Sequence, residues 1–338
     1  MTGGGPGAPP PYTPPMARIG LCLGAGGIVG HAYHAGTLSA LAEATGWDPR
    51  HSEIVVGTSA GSAYGALLRA GLSVADLAAR ALGQPLSQKG RTSLSRVPPM
   101  TGPPALPRRQ PGEWLRPASV GALARTALQP WRFRPGILAA ALLPEGRIET
   151  AGMAEVYQPL FGDAWPEKAF WACAVRLADG ERVVFGREGA PATDVAQAVR
   201  ASCAIPAFFE PAEINGVKYI DGGAHSVTNL DLLAGQELDL VLVTAPMSVS
   251  RGTRVTGLVS QYRNVQAFQL GREARRVRRG GTPVVAFQPT GDDLGVMGVN
   301  AMDIGRRTAV VKQARESTLR RLERPDMKER LLPLFSKG

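Results

Sequence analysis

The stretch from Glu53 to Gly71, EIVVGTSAGSAYGALLRAG, leaves a chain few ways to fold. Ile54, Val55 and Val56 form a short apolar run of the buried-strand kind, whereas Ala63, Ala66, Leu67 and Ala70 recur at helical spacing. Between them the backbone must turn sharply at Gly57-Thr58-Ser59-Ala60-Gly61. Glycines at 57 and 61 remove the Cβ atoms that would collide across such a corner. The Ser59 hydroxyl is then left above the sheet, beside a helix N-terminus. That is the setting of a nucleophile elbow. The pentad alone is a weak signal, because 41 glycines in 338 residues produce G-x-S-x-G readily by chance.

The same strand-to-helix rhythm runs along the chain. RIGLCLGAGGIVG reads as a strand and a glycine-rich turn, followed by a helix through HAYHAGTLSALAEATG. SVADLAARALG reads as a helix capped by Ser73. FWACAVRLADGERVVFG is a hairpin turning at Asp179-Gly180, DVAQAVRAS a helix, and AEINGVKYIDGG a strand pair. LDLVLVTAP and PVVAFQP are buried strands on either side of a long polar helix ending near Arg279, and a last amphipathic helix runs from Asp303 to about Glu323. This alternation predicts an α/β fold, a three-layer sandwich whose mainly parallel central sheet is flanked by helices.

We expect one elaborated domain over 17–323. The Pro/Gly-rich residues 1–16 read as a disordered tail and 324–338 as a C-terminal tail. Residues 1–16 have neither the basic nor the apolar region of a secretory signal, and no apolar run approaches the length of a membrane span. The three cysteines, Cys22, Cys173 and Cys203, are far apart and contain no C-x-x-C pair, which argues against a disulfide framework or a zinc cluster. A cytoplasmic protein, peripheral at most on the inner face of the membrane, is the expectation. The formal charge of +10 is concentrated: between residues 86 and 136 nine Lys and Arg face Glu113 alone. This Pro-rich stretch breaks the α/β rhythm and reads as an insertion or lid. Its Lys89–Arg134 portion interleaves Leu94, Leu106, Trp114, Leu115, Leu123, Leu128, Trp131 and Phe133, which favours an anionic membrane surface as partner. It lacks the pattern of a single-strand binder, so no nucleic acid is expected. A second basic run, Gly271–Gly281, reads as the solvated end of a helix.

The glycine-rich turn LGAGGIVG contains Gly24, Gly26, Gly27 and Gly30. It lacks the Lys-Ser/Thr of a phosphate-binding P-loop, and its backbone N–H groups suit an oxyanion hole better. The serine also needs a base. His31, His34 and His51 precede Ser59, and His225 lies only four residues after Asp221, so the usual Ser, Asp, His triad order does not fit. In YIDGG, Asp221 sits at a strand end, where Gly222 and Gly223 permit close backbone approach. A lone Asp-Gly-Gly would ordinarily be a turn; its companion motifs argue for the base.

Together these motifs resemble the patatin-like phospholipase family over roughly residues 18–323. The glycine-rich oxyanion turn corresponds to Ala25-Gly26-Gly27-Ile28-Val29-Gly30, and G-x-S-x-G to Gly57–Gly61. A-S-x-x-x-P corresponds to Ala201–Pro206, and D-G-G to Asp221–Gly223. Two positions depart from the family pattern. Ala25 replaces the first glycine of the turn, and Val29 stands where many members carry Arg or Lys. Members hydrolyse acyl esters of lipids through a Ser-Asp dyad. The resemblance thus implies Ser59 as nucleophile, Asp221 as base, and Gly26 and Gly27 as oxyanion donors, with Gly24, Gly30, Gly57, Gly61, Gly222 and Gly223 supporting the motifs. It implies a lipid or phospholipid acyl ester substrate and neither metal nor cofactor. An acyltransferase using the same acyl-enzyme and a non-catalytic membrane scaffold are the alternatives. An aspartate of ordinary pKa is a feeble base for an alcohol, so the site must be dry. Phe208, Phe209 and the apolar 136–143 stretch are available for acyl contacts or for core packing.

Overall fold

In a computed structural model, which describes residues 17–98, 102, 117–129, 134–253 and 257–335, the apolar runs form one eight-stranded sheet. The strands are β1 (Ile19–Leu23), β2 (Ile54–Thr58), β3 (Ala169–Arg176), β4 (Arg182–Phe185), β5 (Ala212–Ile214), β6 (Val217–Asp221), β7 (Leu240–Thr244) and β8 (Val284–Phe287). Side chains alternate between faces along a strand, and here both faces are buried. Leu21 and Leu23 of β1, Val55 of β2, Phe170 and Ala172 of β3, and Leu240 and Leu242 of β7 join one apolar cluster. Cys22, Ile54, Val56, Trp171, Cys173, Val241 and Val243 join another on the opposite face. Continuous apolar strands therefore become the middle layer of a three-layer α/β sandwich.

The first helices are α1 (Gly27–Thr45), α2 (Ala60–Arg69), α3 (Val74–Leu82), α4 (Gln88–Leu94), α5 (Val120–Leu128) and α6 (Pro135–Leu142). Short α7 (Ala151–Glu155) and α8 (Gln158–Phe161) lead to α9 (Val195–Ser202) and the long α10 (Leu258–Arg279). The chain ends with α11 (Gly291–Met297), α12 (Arg307–Leu322) and α13 (Pro325–Arg330). Helices α1, α2, α3, α9 and α12 cover the first face, while Leu270, Ala274 and Val277 of α10 cover the second. Ser73 caps α3 by accepting from the Asp76 amide, as the sequence predicts.

Strands β3, β2, β1, β7 and β8 run parallel. The rest are antiparallel additions around β3. One feature of β3 places the site. Ala172–Val175 pair with β4, while Ala169–Cys173 pair with β2 and Ala174–Arg176 with β6. A strand has only two edges, so β4 takes one and β2 hands the other over to β6. Thr58 lies opposite Cys173 and Asp221 opposite Ala174, which brings the ends of β2 and β6 together.

Two expectations need revision. Residues 324–335 are not a free tail, since Met327, Leu331 and Leu334 are buried in the main core. Their apolar side chains recur at intervals of three and four within a short charged sequence, too brief to stand out. Within the basic segment, Arg125 pairs with Asp179 at 3.0 Å and Glu181 at 3.1 Å at the β3–β4 turn, so part of the excess charge is neutralised. Leu94 is buried and Leu128 exposed. Leu106, Arg108, Arg109, Trp114, Leu115, Arg116, Trp131, Arg132 and Phe133, like residues 1–16, lie outside the described residues.

The C-terminal packing is testable in urea. Met327→Ala should lower unfolding free energy by about 2–5 kcal/mol, the range for large-to-small core substitutions, and deletion of 324–338 by more; a silent deletion would restore the tail.

Candidate active site

The elbow is a steric solution. A Cβ on Gly61 would stand 1.9 Å from the Leu23 carbonyl oxygen, so α2 packs directly onto the end of β1. The Ser59 backbone is held at φ 53°, ψ −121°, an unfavourable region for a residue with a side chain, and its N–H donates to Ser202 Oγ at 2.9 Å. Such conformers cost on the order of 1–3 kcal/mol and persist only where the surroundings impose them. Ser62 N and Ala63 N bond back to the Ser59 carbonyl, starting α2. Gly57 sits against Ser62 across the corner.

Asp221 ends β6. Its N–H donates to Ala204 O at 2.8 Å, and Oδ1 accepts from Gly223 N at 2.7 Å. The Ser59 hydroxyl lies near enough to favour the charged form of this carboxyl. Both side chains are buried, Ser59 4% and Asp221 5% exposed. Burial pushes the Asp221 carboxyl up to about 6, against the opposing pull of the nearby Ser59 hydroxyl and the Gly223 N–H. Gly222 packs against the Cys173 carbonyl, next to the point where β2 gives way to β6.

The glycine-rich turn is fixed from three directions. Gly24 N donates to Thr244 O at 2.9 Å, Ala25 N to Val227 O at 2.7 Å, and Gly30 N to Gly26 O at 2.7 Å. Gly24 O lies 2.8 Å from His34 Nε2, and Thr244 Oγ1 lies 2.6 Å from His34 Nδ1. A carbonyl can only accept, so Nε2 carries the proton and Nδ1 accepts from the threonine. Burial keeps this imidazole neutral, with its pKa lowered to about 4. Gly27 opens α1 at φ +60°, where a Cβ would also meet Ala301 O at 2.7 Å. The Gly26 and Gly27 amides have no hydrogen-bond partner among the described residues; they are the donors that a helix start leaves over. Val29, one of the two departures from the family pattern, is 2% exposed in the core and donates its N–H to Ala301 O.

The patatin-like phospholipase family pattern matches residues 21–234, a span that includes both Ser59 and Asp221. The chain belongs to the patatin-like phospholipase family. No curated protein matches the sequence. Among solved structures, VipD from Legionella pneumophila is 14% identical over 91% of this chain and 67% of its own, with a TM-score of 0.41. ExoU, in its complex with SpcU from the type III secretion system of Pseudomonas aeruginosa, is 18% identical over 94% of this chain and 52% of its own, with a TM-score of 0.35. This chain therefore spans about half the ExoU chain. Membership in the patatin-like phospholipases supports lipid hydrolase activity.

Several residues of this patatin-like site carry no sequence signal of their own. Asn229, at φ 52°, donates to Thr58 Oγ1 at 3.0 Å and to Ser226 O at 2.7 Å, tying the loop after Asp221 to the elbow strand. Glu273 lies within the basic run at the end of α10 but points inward. It accepts from Ser226 Oγ at 2.6 Å, Thr228 Oγ1 at 2.7 Å and Leu230 N at 3.0 Å. Cys203, from the A-S-x-x-x-P motif, lies 3.8 Å from Ser62 Oγ and beside the Ser59 hydroxyl; burial pushes its thiol up to about 12, so it stays protonated. His225 bonds neither Ser59 nor Asp221 among the described residues. Its pKa is lowered to about 3, chiefly by burial, and its carbonyl accepts from Gln269 at 3.3 Å.

Ser59 opens onto a cavity of about 870 Å³, walled by Gly27, Leu67, Leu77, Val97, Ile205 and Phe209 among others. Phe209 lines this cavity and is itself buried. The 136–143 stretch instead packs Ala140 against Val175, Leu177 and Ile220. Val97, Pro98 and Gly102 show that the start of the basic segment closes one side of the cavity.

A buried carboxyl whose pKa is raised binds its proton more tightly in the folded chain, so it withdraws stability as pH rises from its unfolded value near 4 through about 6. Asp221→Asn should therefore leave the protein as stable or more stable at pH 7.5, by up to about 3 kcal/mol. The difference from the wild type should shrink at pH 4. Thermal unfolding at both pH values checks it.

Proposed function

We propose that this protein is a serine acyl hydrolase that cleaves lipid or phospholipid acyl esters, with Ser59 as nucleophile and Asp221 as base. The observation that carries this reading is the pair of buried groups, Ser59 and Asp221, that the pairing of β2 and β6 along β3 brings together, with Ser59 and Gly27 lining a largely apolar cavity. Asp221 takes the Ser59 proton as Oγ bonds to the ester carbonyl carbon, and the negative charge moves to the carbonyl oxygen. The Gly26 and Gly27 N–H groups are the donors available to it. Collapse breaks the bond to the leaving alcohol, which receives the proton from Asp221. Water then gives a proton to Asp221, attacks the acyl-enzyme and releases the carboxylic acid, and Ser59 recovers its proton. A buried carboxylate is a stronger base than a hydrated one, which answers the weakness of an ordinary aspartate. An alcohol replacing that water would give transacylation, distinguishable by analysing products with and without added glycerol.

Ser59→Ala should lose labelling by a fluorophosphonate probe and lower ester hydrolysis by roughly 10⁴-fold or more. Adding Asp221→Asn to it should cost little further, because the pair acts as one unit. The base must be ionised to act, so kcat/KM should be full above its pKa and fall tenfold per unit below about pH 6. Labelling of Ser59→Ala equal to the wild type, or undiminished hydrolysis in Asp221→Asn, would refute the dyad.

We also read the protein as peripheral, meeting an anionic membrane surface from the cytoplasmic side through the basic 89–134 segment. No helix among the described residues is long and apolar enough to cross a membrane. The exposed row Tyr262, Val265 and Phe268 on α10 supports an interfacial face. Each Lys or Arg near such a surface contributes roughly 1 kcal/mol, and screening over about 8 Å makes the attraction salt-sensitive. The protein should co-sediment with anionic but not zwitterionic vesicles at low salt, and lose this on deletion of 89–134. Undiminished sedimentation of the deletion variant would move the docking surface to α10.

A further inference from the structure

Arg80 of α3 and Arg307, the first residue of α12, both reach the cavity that contains Ser59. The two helices are pinned together at this point. Thr308 Oγ1 donates to Ala81 O at 3.2 Å, so the residue before each bonded partner emerges beside the other. Arg80 uses Nη2 to hold the carbonyls of Val97 at 2.9 Å and Pro98 at 2.6 Å, leaving its other N–H groups over. The Arg307 guanidinium has no hydrogen-bond or ion-pair partner among the described residues. Glu149 and Glu155 line the same cavity, but neither pairs with Arg80 or Arg307.

A third polar group faces the same space. His31 lies one turn beyond Gly27 on α1 and lines the cavity, and its Nε2 is buried without a partner. Its ring stands edge-on to Tyr64 at 5.0 Å. Burial, then His34, Arg307 and Arg80, lower its pKa to about 3, so the ring is neutral and both arginine charges are felt at it. Burial and then the Arg307 charge likewise hold Arg80 below its ordinary value. Two like charges facing one cleft, neither paired with a carboxylate among the described residues, repel, and an anion placed there would reverse the sign of that interaction. Arginine forks match the tetrahedral oxygens of a phosphate, to which they donate in pairs.

We propose that Arg80 and Arg307, with His31 Nε2, form a headgroup subsite that takes the phosphodiester of a phospholipid while its acyl ester lies at Ser59. This rests on the reading of Ser59 as the nucleophile and adds the discriminating step: a neutral acylglycerol has nothing to place between the two guanidinium groups. Substrate choice is then set on α3 and α12, apart from the dyad.

The test separates this subsite from catalysis by using ligands that cannot be cleaved. Titration calorimetry compares 1-O-decylglycero-3-phosphoglycerol with 1-O-decylglycerol, both ethers, on the full-length protein. The wild type should prefer the phosphodiester by about 10- to 100-fold, the range of one or two charge-assisted hydrogen bonds. In Arg80→Gln/Arg307→Gln the ratio should fall towards one. Arg307→Gln alone, which removes no intramolecular bond, should lower it part of the way. The same ratio, taken as kcat/KM for the ester lysophospholipid over monoacylglycerol, should fall in parallel. A wild type without preference, or variants that weaken both ligands alike and keep the ratio, would overturn the subsite. If the ether preference behaves as expected while no ester is hydrolysed, the subsite stands and the Ser59 reading fails.

Discussion

The handover on the edge of β3, where β2 stops and β6 begins, is the constraint on which the site depends. Thr58 and Asp221 lie opposite consecutive residues, Cys173 and Ala174, on one continuous strand. That strand acts as a ruler, and backbone hydrogen bonds set its divisions. The elbow then lifts Ser59 out of line with β2, and Gly61 lets α2 settle on the Leu23 carbonyl. Asp221 is steadied by Ala204 on one side and Gly223 on the other. Neither catalytic candidate relies on a long flexible side chain for its position. A shift of either strand by one residue would reverse which face its side chains meet, and would bury the wrong set.

Holding a carboxylate in such a place has an electrostatic consequence. Asp221 accepts a backbone hydrogen bond from Gly223, has the Ser59 hydroxyl near it and pairs with no cation among the described residues, so burial prevails and its pKa rises. The neighbouring titratable groups are kept neutral: His34 and His31 are unprotonated and Cys203 remains a thiol. Of these four groups, Asp221 is the one with a pKa near neutrality. The arrangement favours a base that is reactive because it is poorly solvated, at some cost to folding stability.

Strands and motifs were legible in the sequence because they are local. Apolar runs such as LDLVLVTAP report burial on both faces, and G-x-S-x-G with D-G-G reports two corners whose backbones allow little else. The supports were not legible for a physical reason. His34 meets Thr244, Asn229 meets Thr58 and Glu273 meets Ser226 through hydrogen bonds between residues 210, 171 and 47 positions apart. A single polar side chain has no periodicity to announce such a partner. Val29 shows the same limit from the apolar side: its departure from the family pattern is visible, but its burial in the core depends on α12 and the segment before it. The 325–334 region was misjudged because its apolar positions are few, and what buries them is contributed by distant elements.

The arginines give a final distinction that composition conceals. Many act as struts rather than as surface charge. Arg69 donates to the carbonyls of Arg50, Ser52 and Ala169, Arg263 to that of Pro246, Arg278 and Arg330 to that of Val284, and Arg321 to that of Ala286. Others face carboxylates, as Arg182 does with Asp231 at 2.7 Å. A guanidinium with several donors suits such cross-linking of loop carbonyls, and once so engaged it is poorly placed to follow a ligand. Net charge alone therefore overstates how much cationic surface is free. Against that background Arg307 differs in kind: it faces the cavity with no intramolecular partner among the described residues, beside Arg80, whose fork is only partly used. The distribution of bonds, more than the formal charge of +10, separates a guanidinium that builds the fold from one left to meet a substrate.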